Sequence, residues 1–203
     1  MTPATNVSAG ASPDPPDPRW TGRKVLMAVT GGIACFKSAT LVSRLVQSNA
    51  SVRVIMTEAA TRFVTPLTFE SLSGQAVGTS VWQTSGGHDV AHIELAAWPD
   101  LVIVAPATAD YIARIAGGRC DDLVTLCACA LPRQTPLLLA PAMNEQMWKH
   151  PVTQRNLKTL RELLGYHVVG PEIGWHACRT QGPGRMSEPD QILEAAVKLS
   201  GPA

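Results

Sequence analysis

Two short runs of uninterrupted apolar residues, Leu-Val-Ile-Val-Ala at 101–105 and Pro-Leu-Leu-Leu-Ala at 136–140, constrain this chain more than any other feature. A strand with one solvated face alternates apolar with polar residues, whereas a strand that is apolar throughout must be covered on both faces. Lys24–Val29 and Ser51–Met56 read as two further strands, and 166–169 as a last one. Helical patterns fill the gaps: Cys35–Gln47, with Phe36, Leu41, Leu45 and Val46 at helical spacing; 59–73 in pieces; Ala109–Ala116; Leu123–Ala130; 152–164; and Pro189–Leu199. Strands separated by helices predict βαβ units, hence a doubly wound parallel α/β sandwich with right-handed crossovers. In such sheets ligands bind at the carboxyl ends of the strands, near the switch in strand order.

Composition fits one such domain. The chain has 203 residues, 45% of them apolar and 16% charged, enough to build a core and too apolar for global disorder. A net charge of +1 argues against a dedicated binder of nucleic acid or of a membrane surface. No apolar run approaches the ~18 residues of a membrane span. Residues 1–20 hold five prolines and no apolar signal-peptide core, so they read as a disordered tail ahead of a domain at 21–203. The five cysteines, Cys35, Cys120, Cys127, Cys129 and Cys178, match neither a disulfide framework nor a zinc site. The expectation is a cytoplasmic protein with free thiols and no metal, with Cys35, Cys120, Cys127 and Cys129 at apolar helix positions in the core.

The loops after the strands carry the chemistry. Thr30-Gly31-Gly32-Ile33-Ala34 places two glycines between a strand and a helix, which suits a phosphate at the helix N-terminus or simply a tight turn. It is not the G-x-G-x-x-G of a dinucleotide site. Thr57 suits a helix cap, with phosphate binding as the alternative. Thr108, Ala109 and Asp110 follow the 101–105 strand and suit a flat ring or a plain turn. Pro141-Ala142-Met143-Asn144-Glu145-Gln146-Met147-Trp148 is more specific: an Asn amide suited to a carboxylate, among Met and Trp side chains suited to an apolar wall. His92 precedes the central strand in an apolar-alternating stretch, where a structural role and a catalytic one both remain open. Cys178 lies between His176 and Arg179 in a Gly/Pro-punctuated segment that reads as a mobile flap.

Four segments occur together and in order: Thr30–Ala34, the stretch 92–110, Pro141–Trp148, and Ala177-Cys178-Arg179-Thr180-Gln181-Gly182-Pro183-Gly184-Arg185-Met186. The set resembles the flavin-containing cysteine decarboxylases, which include the phosphopantothenoylcysteine decarboxylases of coenzyme A biosynthesis and the peptidyl-cysteine decarboxylases of modified-peptide biosynthesis. The resemblance covers residues 23–199. It implies a flavodoxin-like single domain that binds FMN, with Gly31, Gly32, Ile33 and Thr57 at its phosphate and ribityl chain. Thr108, Ala109, Asp110 and Ala142 would also contact the cofactor. His92 would be the base and Asn144 the residue that binds the substrate carboxylate, with Met143, Met147 and Trp148 walling the site. The resemblance also implies a homo-oligomer, a trimer or dodecamer, with the flavin near subunit interfaces and His92 and the Asn144 loop in a composite site. The chemistry implied is oxidation of the cysteine Cβ by the flavin, which turns the carboxylate into a leaving group.

Cys178 would be the proton donor of the redox-neutral, coenzyme A-pathway reaction. There the flap normally reads Ala-Cys-Gly-Asp, whereas this chain has Arg179-Thr180 after Cys178. That departure, the Pro-rich stretch before the first strand and a chain that stops at Ala203, with no downstream synthetase domain, lean toward oxidative decarboxylation of a C-terminal peptidyl cysteine, with phosphopantothenoylcysteine as the alternative substrate. A flavin prenyltransferase and a non-enzymatic regulatory subunit rank lower, the first because it lacks this Asn and His pairing and the second because no long acidic tail is present.

Overall fold

The computed structural model describes residues 16–82, 91–175, 179 and 181–200. Five parallel strands form one sheet in the order β2-β1-β3-β4-β5: β1 (Lys24–Val29), β2 (Ser51–Met56), β3 (Leu101–Ala107), β4 (Leu137–Pro141) and β5 (His167–Val168). This is the flavodoxin-like order. The chain winds outward from β1 to β2, then crosses back to β3, so the switch falls between the carboxyl ends of β1 and β3.

The helices cover both faces of the sheet, as the apolar strands require. Val25, Met27 and Val29 of β1 pack with Leu41, Val42 and Leu45 of α1 (Cys35–Gln47), Phe69 of α3 (Pro66–Ser73) and Ile192 and Ala196 of α9 (Pro189–Leu199). Leu26 and Ala28, one residue out of phase, point the other way. They join Tyr111, Ile112 and Ile115 of α5 (Ala109–Ala116), Val124 of α6 (Leu123–Ala130) and Leu157 and Leu160 of α8 (Pro151–Leu164). This alternation on a strand buried on both faces is the period-two geometry that puts every residue of the 101–105 run into one core or the other.

Four elements were not expected. α4 (Ala91–Ala97) carries His92; α7 (Glu145–Lys149) follows Asn144; and β6 (Glu172–Trp175) and β7 (Gln181–Arg185) form an antiparallel hairpin whose second strand lies within the stretch read as a flap, whereas α2 (Glu58–Thr61), a single turn, is the first of the helical pieces expected over 59–73. The start of the domain also differs from the expectation. Pro18–Trp20 forms a 3-10 turn capped by Asp17, the Asp17 amide donates to Ser48 Oγ at 3.0 Å, and Trp20 is 1% exposed inside the first core. A tail ending at residue 20 is therefore too long: one large aromatic side chain outweighs its Pro-rich surroundings by filling space beside α1 and α9. The cysteine expectation holds for Cys35 and Cys127, which are buried, and fails for Cys120 and Cys129, which are exposed. Cys120 lies in the loop between α5 and α6, and Cys129 sits on the outer side of the last turn of α6. Among the described residues no helix is long and apolar enough to cross a membrane, and no cluster of His, Cys, Asp and Glu is placed to hold a metal ion.

Candidate active site

Threonines organise the carboxyl end of the sheet. Thr30, buried at the end of β1, donates from Oγ1 to the Pro106 carbonyl at 2.6 Å and accepts from the Thr108 amide at 3.1 Å. The loops after β1 and β3 are thereby fastened across the switch point. Thr108 caps α5 by accepting from the Tyr111 amide, and Thr57 caps α2 by accepting from the Ala60 amide. Ser38 of α1 donates to the Ala105 carbonyl at 2.6 Å and holds the first helix to the central strand. Each hydroxyl satisfies a backbone group that would otherwise be stranded at a strand or helix end.

Above this floor lies a cavity of about 1150 Å³. Gly31, Gly32, Ile33, Thr57, Thr108, Ala109, Asp110, Ala142, Met143, Asn144 and Met147, drawn from four separate loops, all line it. The two glycines differ. A Cβ on Gly31 would meet Ala59 Cβ at 2.5 Å, so close packing against α2 demands glycine there. A Cβ on Gly32 would meet only Thr108 Cγ2, at an ordinary 3.7 Å, so the protein's own packing does not require it. Residues of the first turns of α1 and α5 line this space, and helix N-termini suit an anionic group. A large, partly apolar cavity over a glycine floor with helix N-termini at one end fits a flavin mononucleotide.

The loop after β4 forms one wall. Asn144 caps α7, its Oδ1 accepting from the Gln146 amide at 2.8 Å. This fixes the side chain by its oxygen, so its NH2 end is the part suited to a carboxylate. The Met143 amide donates to the Gly184 carbonyl of β7 at 2.9 Å, tying the wall to the hairpin. Met147 is 48% exposed at the rim. Trp148 does not share this role: it packs against the second core, and the wall is completed instead by Phe36, Phe63 and Trp175, all exposed.

Other expected residues stand apart. His92 lies on α4, which packs against α6; its carbonyl accepts from Cys127 Sγ at 3.7 Å, and it is not among the residues lining the cavity of its own chain. Cys178 lies outside the described residues. Burial raises the Cys35 thiol, which donates to the Thr30 carbonyl at 3.2 Å, and pushes Cys127 up to about 12, so neither is a nucleophile at neutral pH. Asp110 faces the cavity while paired with Arg114 at 2.8 Å. Sequence reasoning passed over Lys37, Trp175 and Arg185, all on the cavity wall. The signal for Lys37 was a cation on the apolar side of the first turn of a helix.

The family model described as Flavoprotein matches residues 17–201. The chain belongs to the Flavoprotein family. This member is 47% identical over 181 residues to the coenzyme A biosynthesis bifunctional protein CoaBC of Vibrio cholerae, a match covering 89% of this chain and 45% of that protein. It is 45% identical, over the same share of its length, to the CoaBC of Escherichia coli K12. The chain thus spans less than half the length of the curated relatives it matches. Among solved structures it superposes on a PPC decarboxylase mutant complexed with pantothenoylaminoethenethiol with a TM-score of 0.75 and 34% identity, covering 86% of this chain and 96% of that one. The FMN-dependent cysteine decarboxylase SpaF gives a TM-score of 0.75 at 28% identity, covering 89% and 98%. Flavoprotein-family membership and kinship with decarboxylases therefore hold, and a flavin is the cofactor type this member takes.

Proposed function

We propose that this Flavoprotein-family chain binds FMN in the cavity and decarboxylates the cysteine moiety of phosphopantothenoylcysteine. The observation that carries this reading is the convergence of the glycine loop, Thr57, Thr108 and the Asn144 loop on one cavity, in a chain 47% identical to a coenzyme A biosynthesis protein. That relationship favours phosphopantothenoylcysteine over the peptidyl substrate toward which residues 179 and 180 lean.

Gly31, Gly32, Ile33 and Thr57 would hold the phosphate end of the cofactor, and Thr108, Ala109, Asp110 and Ala142 its remaining contacts on the same floor. Bound there, FMN supplies a two-electron acceptor for the carbon next to sulfur, which lets the adjacent carboxylate leave as CO2. The protein's own groups do the rest. The Asn144 amide NH2 donates to the substrate carboxylate and orients it. Met143 and Met147 keep water from that carboxylate, in surroundings that favour loss of its charge. His92 takes the proton of the substrate thiol at its imidazole nitrogen. Because His92 stands away from its own chain's cavity, it serves the cavity of a neighbouring copy in a homotrimer or a dodecamer. Ile33, Phe36 and Phe63, 61%, 60% and 51% exposed, form an apolar rim suited to burial by that copy. Cys178, between β6 and β7, delivers a proton to carbon in the closing step.

The test is turnover followed by mass. Phosphopantothenoylcysteine should lose about 44 Da with the flavin unchanged overall, whereas a peptide ending in cysteine that lost about 46 Da would support the oxidative reaction. His92→Asn should keep the flavin and lose turnover; mixing it with Asn144→Asp should return activity that neither has alone, and failure to do so would remove the shared site. Cys178→Ser should stall the redox-neutral reaction at the enethiol. The peptidyl reading stands second because Arg179, where cysteine decarboxylases of the coenzyme A pathway have glycine, sits in the left-handed region at φ 63°. An arginine there stiffens the backbone beside Cys178.

A further inference from the structure

Lys37 is the third residue of α1, directly after the glycine loop, and it is 7% exposed. That is a costly place for an ammonium group. The N-terminus of a helix already carries partial positive charge, and removing a cation from water is unfavourable unless its protons are taken up. Nζ donates to the Met186 carbonyl at 2.9 Å and to Glu188 Oε1 at 3.0 Å. Both acceptors lie just past β7. Glu188 Oε1 also receives the Arg185 guanidinium, and the Glu188 amide donates to Gln191 Oε1 at 2.9 Å at the head of α9. Ser187, between the two acceptors, donates to Glu172 Oε1 of β6 at 3.0 Å.

An ion pair between a buried Lys37 and a half-exposed Glu188 is weak grounds for stability, since solvent screens the carboxylate and an apolar residue of similar size often serves the fold as well. Its geometric consequence is more telling. Residues 184–188 meet the Met143 amide at Gly184, β6 at Ser187 and α1 at Met186 and Glu188; the Met186 side chain is buried in the first core beside α1, and Lys37 makes the polar part of that last contact. We propose that Lys37 is a positioning residue that locks the carboxyl end of the β6–β7 hairpin, and through Gly184 the Met143–Asn144 wall, onto the helix following the glycine loop. It links the proposed flavin floor to the proposed substrate wall without touching the substrate carboxylate. The effect on turnover rests on the decarboxylase reading; the mechanical link does not.

The experiment compares amide hydrogen exchange in the full chain, with and without FMN, for the unaltered protein and for Lys37→Met, Lys37→Arg and Glu188→Gln. Lys37→Met should speed exchange about tenfold in peptides spanning 141–147 and 181–187 while leaving 25–29 and 101–104 within about twofold, as local opening does. Lys37→Arg should restore most of the protection, and Glu188→Gln should speed the same peptides by a smaller factor. In turnover, KM for phosphopantothenoylcysteine should rise about tenfold in Lys37→Met while the FMN dissociation constant moves less than about threefold. Uniform acceleration across the sheet, or none in 141–147 and 181–187, overturns the proposal. If Lys37→Met does not fold, Glu188→Gln alone decides by the same peptides. Absence of turnover in the unaltered protein would sink the decarboxylase reading and leave the exchange result to judge Lys37.

Discussion

The two adjacent glycines should come apart under the same substitution. In Gly31→Ala the new methyl would stand 2.5 Å from Ala59 Cβ and 2.9 Å from the Ala59 carbonyl carbon. Carbon atoms settle at about 3.5–4.0 Å, so α2 must retreat by roughly 1 Å. Ala59 is backbone as well as side chain, and Ala60 beside it is fully buried, so the retreat disturbs the core. Overpacking of this size costs about 1–3 kcal/mol, against which the stiffer unfolded chain returns about 0.4–1 kcal/mol. The net loss of about 1–2 kcal/mol lowers Tm by roughly 2–8 °C in a domain of this size. In Gly32→Ala the nearest atom is 3.7 Å away and the backbone is not left-handed, so the apo protein keeps or slightly raises its Tm. Its methyl enters the cavity instead. A tenfold weaker FMN affinity, about 1.4 kcal/mol, is the expected scale. With FMN at about one hundred times the original dissociation constant, the flavin-induced stabilisation falls from about 2.7 to about 1.4 kcal/mol, a few degrees of melting shift. Differential scanning fluorimetry with and without FMN, together with titration of flavin fluorescence, reads both quantities. A Gly32→Ala protein that binds FMN as tightly as the parent would refute the placement of the cofactor on this floor. A Gly31→Ala protein of unchanged Tm would refute the packing argument.

Two further substitutions test the cores. Trp20→Ala should destabilise by about 3–5 kcal/mol, the usual cost of emptying a buried aromatic site, measured by urea unfolding; a change below about 1 kcal/mol would return residues 16–20 to the tail. Tyr111 is buried, with no hydrogen-bond partner for its hydroxyl among the described residues, and burial holds its ionisation well above the usual phenol range. Removing an unsatisfied buried hydroxyl relieves its desolvation, so Tyr111→Phe should leave apo stability unchanged or raise it by about 1 kcal/mol; a loss of that size would reveal a partner for the hydroxyl.

What could be read in advance follows from which interactions are local. β1, β2, α1, α5, α6 and α9 lie at the bounds their sequence patterns predict, because the apolar period, a capping Thr108 or Asp122 and a proline at the head of α9 all act within a few residues. α4 was missed because His92-Ile93-Glu94-Leu95 alternates like a strand, and packing of Ala96 against its surroundings settles the conformation. The hairpin was missed because Gly182, Pro183 and Gly184 carry almost no strand preference; its pairing with β6 is backed by contacts from Met143 and Ser187 that no local window contains. Trp20 had a local signal in Asp17-Pro18, a cap followed by a helix-starting proline, but the space that receives its ring is created by α1 and α9.

The candidate site divides along the same line. Its floor is made of backbone amides, small residues and capping threonines at strand ends, and the rule that ligands gather at the carboxyl ends of parallel strands places these from strand order alone. The groups that would act on the substrate are not fixed in that way. Asn144 takes its orientation from a cap on a five-residue helix, and Met143 from Gly184 of β7, 41 residues further along the chain. His92 is not among the residues lining the cavity of its own chain, so in the proposed reaction the site it would serve belongs to an assembled oligomer and cannot be written in one chain's contacts. The same reasoning makes subunit mixing more informative than any single substitution. An inactive His92→Asn chain still offers an intact floor and wall, an inactive Asn144→Asp chain still offers an intact base, and a shared site requires that together they work.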